Sequence, residues 1–311
     1  MKRSLLLALS LAACTEGSTA PPADDASVGD AAVDTSSPDV VVDQPAEATA
    51  DVSPDVSPDV SHDVTVDVTA DVAPDAPSAG CASAALCESF EDAPVGGVPA
   101  APRWTRVSPN CSGTGRIAVD DAVSHGGHRA LRVDGGGGYC DHVFLANDSV
   151  ITTLGPVVYG RFFVRFSTAF GDGHVTFATL RDSADGSRDL RMGGQSRIFM
   201  WNRESDDATL PELSPAGIAR SARPNPLQWH CVEFRVDQSA GTLATWIDSA
   251  AIDGLTVDAT PTPDIDARWL SRASWRPRLI DFKLGWESYA GQTMTLWFDD
   301  VALGASRIGC D

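Results

Sequence analysis

Lysine is almost missing from this chain. Only Lys2 and Lys283 occur in 311 residues, so positive charge rests on arginine. From Thr15 to Gly80 the scarcity is complete: there is no Lys, no Arg and no aromatic residue, against fifteen acids, a formal charge of −15. From Cys81 onward 28 acids face 21 bases, a mild −7 with no basic stripe, which excludes nucleic acid as a partner. No Cys-x-x-Cys pair occurs, so a zinc ribbon or finger is excluded. An HExxH helix, a phosphate-binding glycine loop and a Ser-His-Asp signature are also missing, which removes the metalloprotease, nucleotide-hydrolase and serine-hydrolase readings. No apolar run is long enough to cross a bilayer. No long segment carries the 3.6-residue period of an amphipathic helix.

What is present begins with "MKRSLLLALSLAAC", two cations and a short apolar run, which reads as a signal peptide over residues 1–13. Its end, Leu11-Ala12-Ala13-Cys14, resembles the lipobox of bacterial lipoproteins. The resemblance implies cleavage before Cys14, lipidation of that cysteine and attachment to a membrane through buried acyl methylenes. Thr15 stands where an aspartate would signal inner-membrane retention. The expectation is a cell-envelope protein, lipid-anchored at the outer membrane.

Residues 14–80 are rich in Asp, Val, Ala, Pro, Ser and Thr, and "DVSPDVSPDVSHDVTVDVTADVAPD" sets an acid at every fourth position from Asp51 to Asp75. A helix would stack those like charges on one face, where they repel. Val and Pro oppose a helix, and there is too little bulky apolar surface to offset chain entropy. The repeat also lacks the glycines with which calcium loops turn their oxygens inward. It is therefore expected to be a disordered stalk, spanning roughly 45 Å as a coil and more with self-repulsion.

Setting Cys14 aside leaves six cysteines: Cys81, Cys87, Cys111, Cys140, Cys231 and Cys310. An even set in an oxidising compartment implies up to three disulfides. The favoured pairings are Cys81–Cys87 and Cys111–Cys140 as local loops, with Cys231–Cys310 long-range.

Residues 81–311 carry many short β-rich runs: "LCESFE", "RIAVD", "RALRVD", "HVFLA", "VVYGRFFVRFS", "HVTFATL", "SRIFMWN", "WHCVEFRVD", "LATWIDS", "LIDFKLGW" and "TMTLWFDDVALG". Gly, Pro, Asn and Asp punctuate them. The pattern predicts one all-β domain, a two-sheet jelly-roll sandwich, with a helical turn each in "SPAGIARS" and "WLSRAS".

Within it, "YGRFFVRFS" (159–167) is similar to the YGxFxxR strand of concanavalin A-like glucanase and lyase domains. "LQWHCVEFRVDQSAGTLATWIDSAAID" is similar to their strand, turn and hairpin. "LWFDDVALGASRIGC" resembles the closing strand of core domains related to the fungal cellulose-induced protein, themselves relatives of glucuronan and alginate lyases. The resemblance implies a concave sheet that forms a groove for a sugar chain.

Strand periodicity proposes what would line such a groove. In "IDFKLGWESYAGQ", Ile280, Phe282, Leu284 and Trp286 alternate with Asp281, Lys283, Gly285, Glu287 and Tyr289, an apolar face against a charged one. The stretch resembles the "YFKxGxYxQ" strand of jelly-roll alginate lyases at Phe282, Lys283 and Gly285. It departs where their catalytic tyrosine falls, on Glu287, with Tyr289 two residues later on the same face. Upstream, Arg191, Gln195, Arg197 and Trp201 share one parity; Leu190, Met192, Ile198 and Met200 share the other. His174 would be the counterpart of the lyases' groove histidine.

Elimination from a uronate needs a neutralised carboxylate, for which Arg or Gln suits. It also needs a base and an acid, for which His174 and Tyr289 are the nominated pair. Arg191, Gln195, Arg197, Lys283 and Glu287 are the expected carbohydrate-binding residues. Trp201, Trp275 and Trp286 read as core rather than sugar platforms. The ExDxE strand of laminarinase-type hydrolases is absent, which leaves acid and nucleophile roles unfilled.

In many such sandwiches the first and last strands are neighbours with a structural calcium at their junction. Here Glu91 and Asp92 in "CESFED" and Asp299 and Asp300 in "WFDDVALG" would supply its carboxylates. Three functional readings follow: a monomeric surface lipoprotein that binds polysaccharide, a polysaccharide lyase cutting uronate-containing chains, and an adhesion protein whose sandwich binds another protein.

Overall fold

Alternation of apolar and polar residues builds two antiparallel sheets, seen in a computed structural model that describes residues 79–110, 112–272 and 275–311. The signal peptide, Cys14 and the acidic stalk lie outside the described residues. Strands are numbered along the chain. The first sheet runs, in spatial order, β13 (Ala250–Ala251), β12 (Thr242–Ile247), β11 (Trp229–Asp237), β6 (Val157–Phe166), β15 (Met294–Gly304), β4 (Ala130–Gly135) and β3 (Arg116–Asp120). β15 is long enough to take two partners along one edge. β4 pairs with its first half and β1 (Leu86–Glu88) with its second, across a register shift between Asp299 and Ala302. The second sheet runs β10 (Ala208–Leu210), β9 (Ile198–Arg203), β8 (Arg188–Gln195), β7 (Val175–Asp182), β14 (Phe282–Ser288), β5 (Val143–Asn147) and β2 (Thr105–Val107).

The expected jelly-roll sandwich is present. Its two helical turns are α1 (Pro215–Ile218), capped by the Ser214 side chain, and α2 (Ala267–Leu270). β2, β10 and β13 are the strands the sequence did not announce, being two or three residues long with no alternation to read.

The core lies between the sheets. Phe162 of the first sheet meets Phe177 and Phe282 of the second, and Phe166 meets Phe177 and Phe199. All five rings are fully buried. Each contributes about 1.5–3 kcal/mol of burial. Trp275 and Trp286 are core residues, as expected.

The parity expected across β8 and β9 is corrected. The strands join through a two-residue turn at Ser196 and Arg197, both at positive φ (52° and 66°). Such a turn pairs Gln195 with Ile198 and Arg191 with Asn202, so odd positions of β8 share a face with even positions of β9. Trp201 therefore faces the core, where its Nε1 donates to Thr245 Oγ1 of the opposite sheet at 2.8 Å. Ile198 and Met200 share the Arg191 side instead.

Cys81–Cys87 and Cys231–Cys310 are disulfides. Cys140 is also disulfide-bonded; its expected partner Cys111 lies outside the described residues.

Candidate functional site

The exposed face of the second sheet carries a transverse row of polar side chains. Strand register sets Asn202, Arg191, Thr179 and Lys283 side by side on β9, β8, β7 and β14, and continues to Ala146 of β5 and Thr105 of β2. Two glycines let the sheet bend here. Gly193 and Gly285 stand beside register shifts, and a Cβ on either would collide with a carbonyl oxygen of the next strand, Val175 or Val143. Neither position tolerates a side chain, so the floor stays open. Over it lies a cleft of about 220 Å³ lined by residues that include Tyr139, Arg181, Arg191, Glu204 and Glu287.

At one end of the row, Lys283 is buried, its Nζ 2.6 Å from Asp281 and 3.4 Å from Asp189. In the middle, Arg191 reaches Glu204 at 2.9 Å and Glu287 at 3.9 Å. Its guanidinium also lies over the Tyr289 ring, 5.2 Å from the centroid. Beyond it, His174 and Tyr289 stack nearly parallel, 5.0 Å between centroids and 16° between planes. The Tyr289 amide donates to the His174 carbonyl, which fixes the pair. Tyr139 leans on Tyr289 at 5.4 Å. These two tyrosines are 41% and 42% exposed, above a buried polar floor.

The environment tunes the titrating groups. Burial, then the Arg191 charge, push His174 down to about 4, so its imidazole is neutral at ordinary pH. Burial and Glu287 push the Tyr289 phenol up, so it stays protonated. Burial raises Glu287, against the pull of Arg191 and a hydrogen bond from Tyr289. His142 sits beneath, 2% exposed, with Nδ1 3.6 Å from Glu287 and neither ring nitrogen hydrogen-bonded.

The structure thus brings His174, Tyr289, Arg191, Glu287 and Lys283 together. Gln195 closes the β8–β9 hairpin opposite Ile198. Arg197 is in the turn itself, exposed and paired with Asp172 at 3.0 Å. Sequence reasoning missed Tyr139, His142 and Glu204. The first two follow the glycine run in "GGGGYCDHVF", whose small residues let a loop fold over the sheet; Glu204 carried no signal.

At the β1–β15 junction, Asp299 is fully buried in the bulge. It accepts from the His125, Gly126 and Asp300 amides. Burial and Asp300 push its carboxyl up to about 8. Asp300 contacts His125 Nδ1 at 2.7 Å. Glu91 accepts from the His128 and Arg129 amides of the same loop, and Asp92 makes no such contact among the described residues. Among the described residues, no group of three or more His, Cys, Asp or Glu side chains is arranged around one point as a metal site.

Two packed antiparallel sheets with a polar groove on one outer face define a jelly-roll domain. The sequence pattern described as "Polysacc_lyase-like: Cip1-like, core domain" matches residues 96–306, and the chain belongs to that family. A solved structure named "Cellulose induced protein, Cip1" is 38% identical, covers 73% of this chain and 100% of its own, and superposes with a TM-score of 0.66. An endo-β-1,4-glucuronan lyase from the fungus Trichoderma reesei is 14% identical over 72% of this chain and 96% of its own, with a TM-score of 0.48. No curated protein matches the sequence.

Proposed function

We propose that this domain binds a polysaccharide chain in the groove of its second sheet. The observation that carries the reading is the pair of half-exposed tyrosines, Tyr139 and Tyr289, held over a floor of buried polar side chains. Aromatic side chains half open to solvent pack against the apolar patches of sugars, and a polar floor meets their hydroxyls. The test is affinity electrophoresis of the protein in gels cast with individual polysaccharides, beside Tyr139→Ala and Tyr289→Ala. Retardation by at least one polysaccharide, weakened about tenfold in each variant, supports the groove. Equal retardation of all three proteins removes the binding site from this face.

A lyase reading has one observation in its favour, the fixed His174–Tyr289 pair in a lyase-like family. The tuning runs against it. A histidine brought down to about 4 is a weak base, and a tyrosine pushed upward is a weak acid, where catalysis near neutral pH wants values close to the working pH. Ultraviolet absorbance from unsaturated uronate, lost in Tyr289→Phe, is the result that installs the lyase in place of the binding module.

The lipobox-like Leu11–Cys14 segment supports attachment by an N-terminal lipid at the outer membrane, with the acidic stretch as spacer. Calcium enters the proposal only as a structural ion at the β1–β15 junction. Support comes from Glu91 and Asp299, which approach the same 125–129 loop, and from a buried Asp299 carboxyl that a cation would relieve.

A further inference from the structure

The charged and uncharged groups of this groove are in opposite states. Among the described residues, every Lys and Arg in it is already matched. Lys283 has Asp281 and Asp189, Arg181 has Asp189 at 3.3 Å, and Arg188 and Arg191 share Glu204 at 3.4 and 2.9 Å, with Glu287 beside Arg191. Four cations meet four carboxylates. A ligand carboxylate entering here displaces one of the protein's own, so it loses its hydration without gaining a free positive partner.

Among the described residues, the hydrogen-bonding capacity left unmet in the groove lies on other side chains. Thr179 Oγ1, Asn202 Oδ1 and both ring nitrogens of His142 are buried without a hydrogen bond, His142 Nδ1 standing 3.6 Å from Glu287. Thr179 and Asn202 flank Arg191 in the transverse row, and His142 lies against Glu287, so the three belong to the floor of one groove. Buried polar atoms are nearly always served, by water where the protein does not serve them. A hydroxyl both donates and accepts, and so matches a threonine hydroxyl, an amide oxygen and an imidazole alike. Sugars present such hydroxyls in rows, and ordered water extends their reach to atoms below the surface.

We propose that the groove takes a neutral polysaccharide, read through its hydroxyl groups, and selects against uronate chains. The inference rests on the glycan-binding reading above and adds the class of glycan.

The test is calorimetric titration of the protein with two neutral glucans, hydroxyethylcellulose and laminarin, and two uronate chains, glucuronan and alginate, at low and moderate salt. Glu204→Gln and Asp189→Asn are titrated alongside, since the first unpairs Arg188 and leaves Arg191 only the more distant Glu287, and the second loosens Lys283 and Arg181. The expected result is at least about tenfold preference for a neutral chain, insensitive to salt. Either variant then gains about tenfold in uronate affinity, equivalent to about 1.4 kcal/mol, and that gain fades with salt. The two substitutions lie on different segments, so one that folds, judged by its melting curve, decides the matter. Wild-type preference for a uronate chain that weakens with salt overturns the inference and leaves glycan binding standing. Failure to bind any of the four chains overturns the binding reading and the inference with it.

Discussion

Acidification should cost the folded protein the contribution of a neutral His174. An unperturbed histidine takes its proton near 6.5, and in the native groove this one resists until about 4. Between those values the unfolded chain binds a proton that the native state refuses. Stability is thus fully present above pH 6.5 and falls as pH is lowered through the window to 4. At about 1.36 kcal/mol per unit, the ceiling is about 3.4 kcal/mol. His174 keeps some contact with solvent at the groove surface, and screening there brings the expected share to about 1–2 kcal/mol. The assay is urea unfolding at pH 7 and pH 4.5 of the protein and of His174→Gln, which has nothing to titrate. The wild type should lose about 1–2 kcal/mol more than the variant across that interval. Asp299 works in the other direction, because a carboxyl raised to about 8 destabilises the native state as pH rises; it is common to both proteins and cancels. Parallel losses in the two proteins would refute the placement of His174 against Arg191 in a dehydrated pocket.

Three further outcomes are expected. Gly193→Ala should destabilise the protein by about 1–3 kcal/mol in urea unfolding, because its methyl meets the Val175 carbonyl and the strand must shift. Trp201→Phe should cost about 1–3 kcal/mol, since it leaves the buried Thr245 hydroxyl without its donor. Calcium at pH 8 should raise the melting temperature, and EDTA should lower it, with neither effect in Asp299→Asn. Identical melts in calcium and EDTA assign the junction to its amide hydrogen bonds alone.

Much of this fold is visible in the sequence because a strand with one buried face must alternate. "WHCVEFRVD" coincides with β11, and the apolar set Phe282, Leu284 and Trp286 turned inward as its period required. The charged set on the other side, with Lys283, Glu287 and Tyr289, became the groove for the same reason. Where alternation was carried through a turn, it failed. The positive-φ residues Ser196 and Arg197 swap parity between β8 and β9, and no local pattern around those two residues announces a two-residue turn without glycine. Tyr139 and His142 were hidden for a different reason. They sit in and beside a short turn, and only tertiary packing brings that turn to the groove, where they meet Tyr289 and Glu287. Pairing of ions across strands is hidden in the same way, since Lys283 finds Asp189 only once the sheet has formed.

The two-partner arrangement of β15 has a consequence for how the protein comes to be. This strand joins β6 to both β4 and β1, so the first sheet has no continuous ladder until its final segment is in place. The pair Leu86↔Leu303 closes a loop of nearly the whole domain, and the Cys231–Cys310 bond is completed beyond the same strand. Contacts this distant are slow to form, because loop-closure entropy must be met before they give anything back. A nascent chain lacking its last strand would hold β4 and β6 as open edges, exposed to pairing with other chains. The first sheet therefore cannot close until β15 has joined its three neighbours.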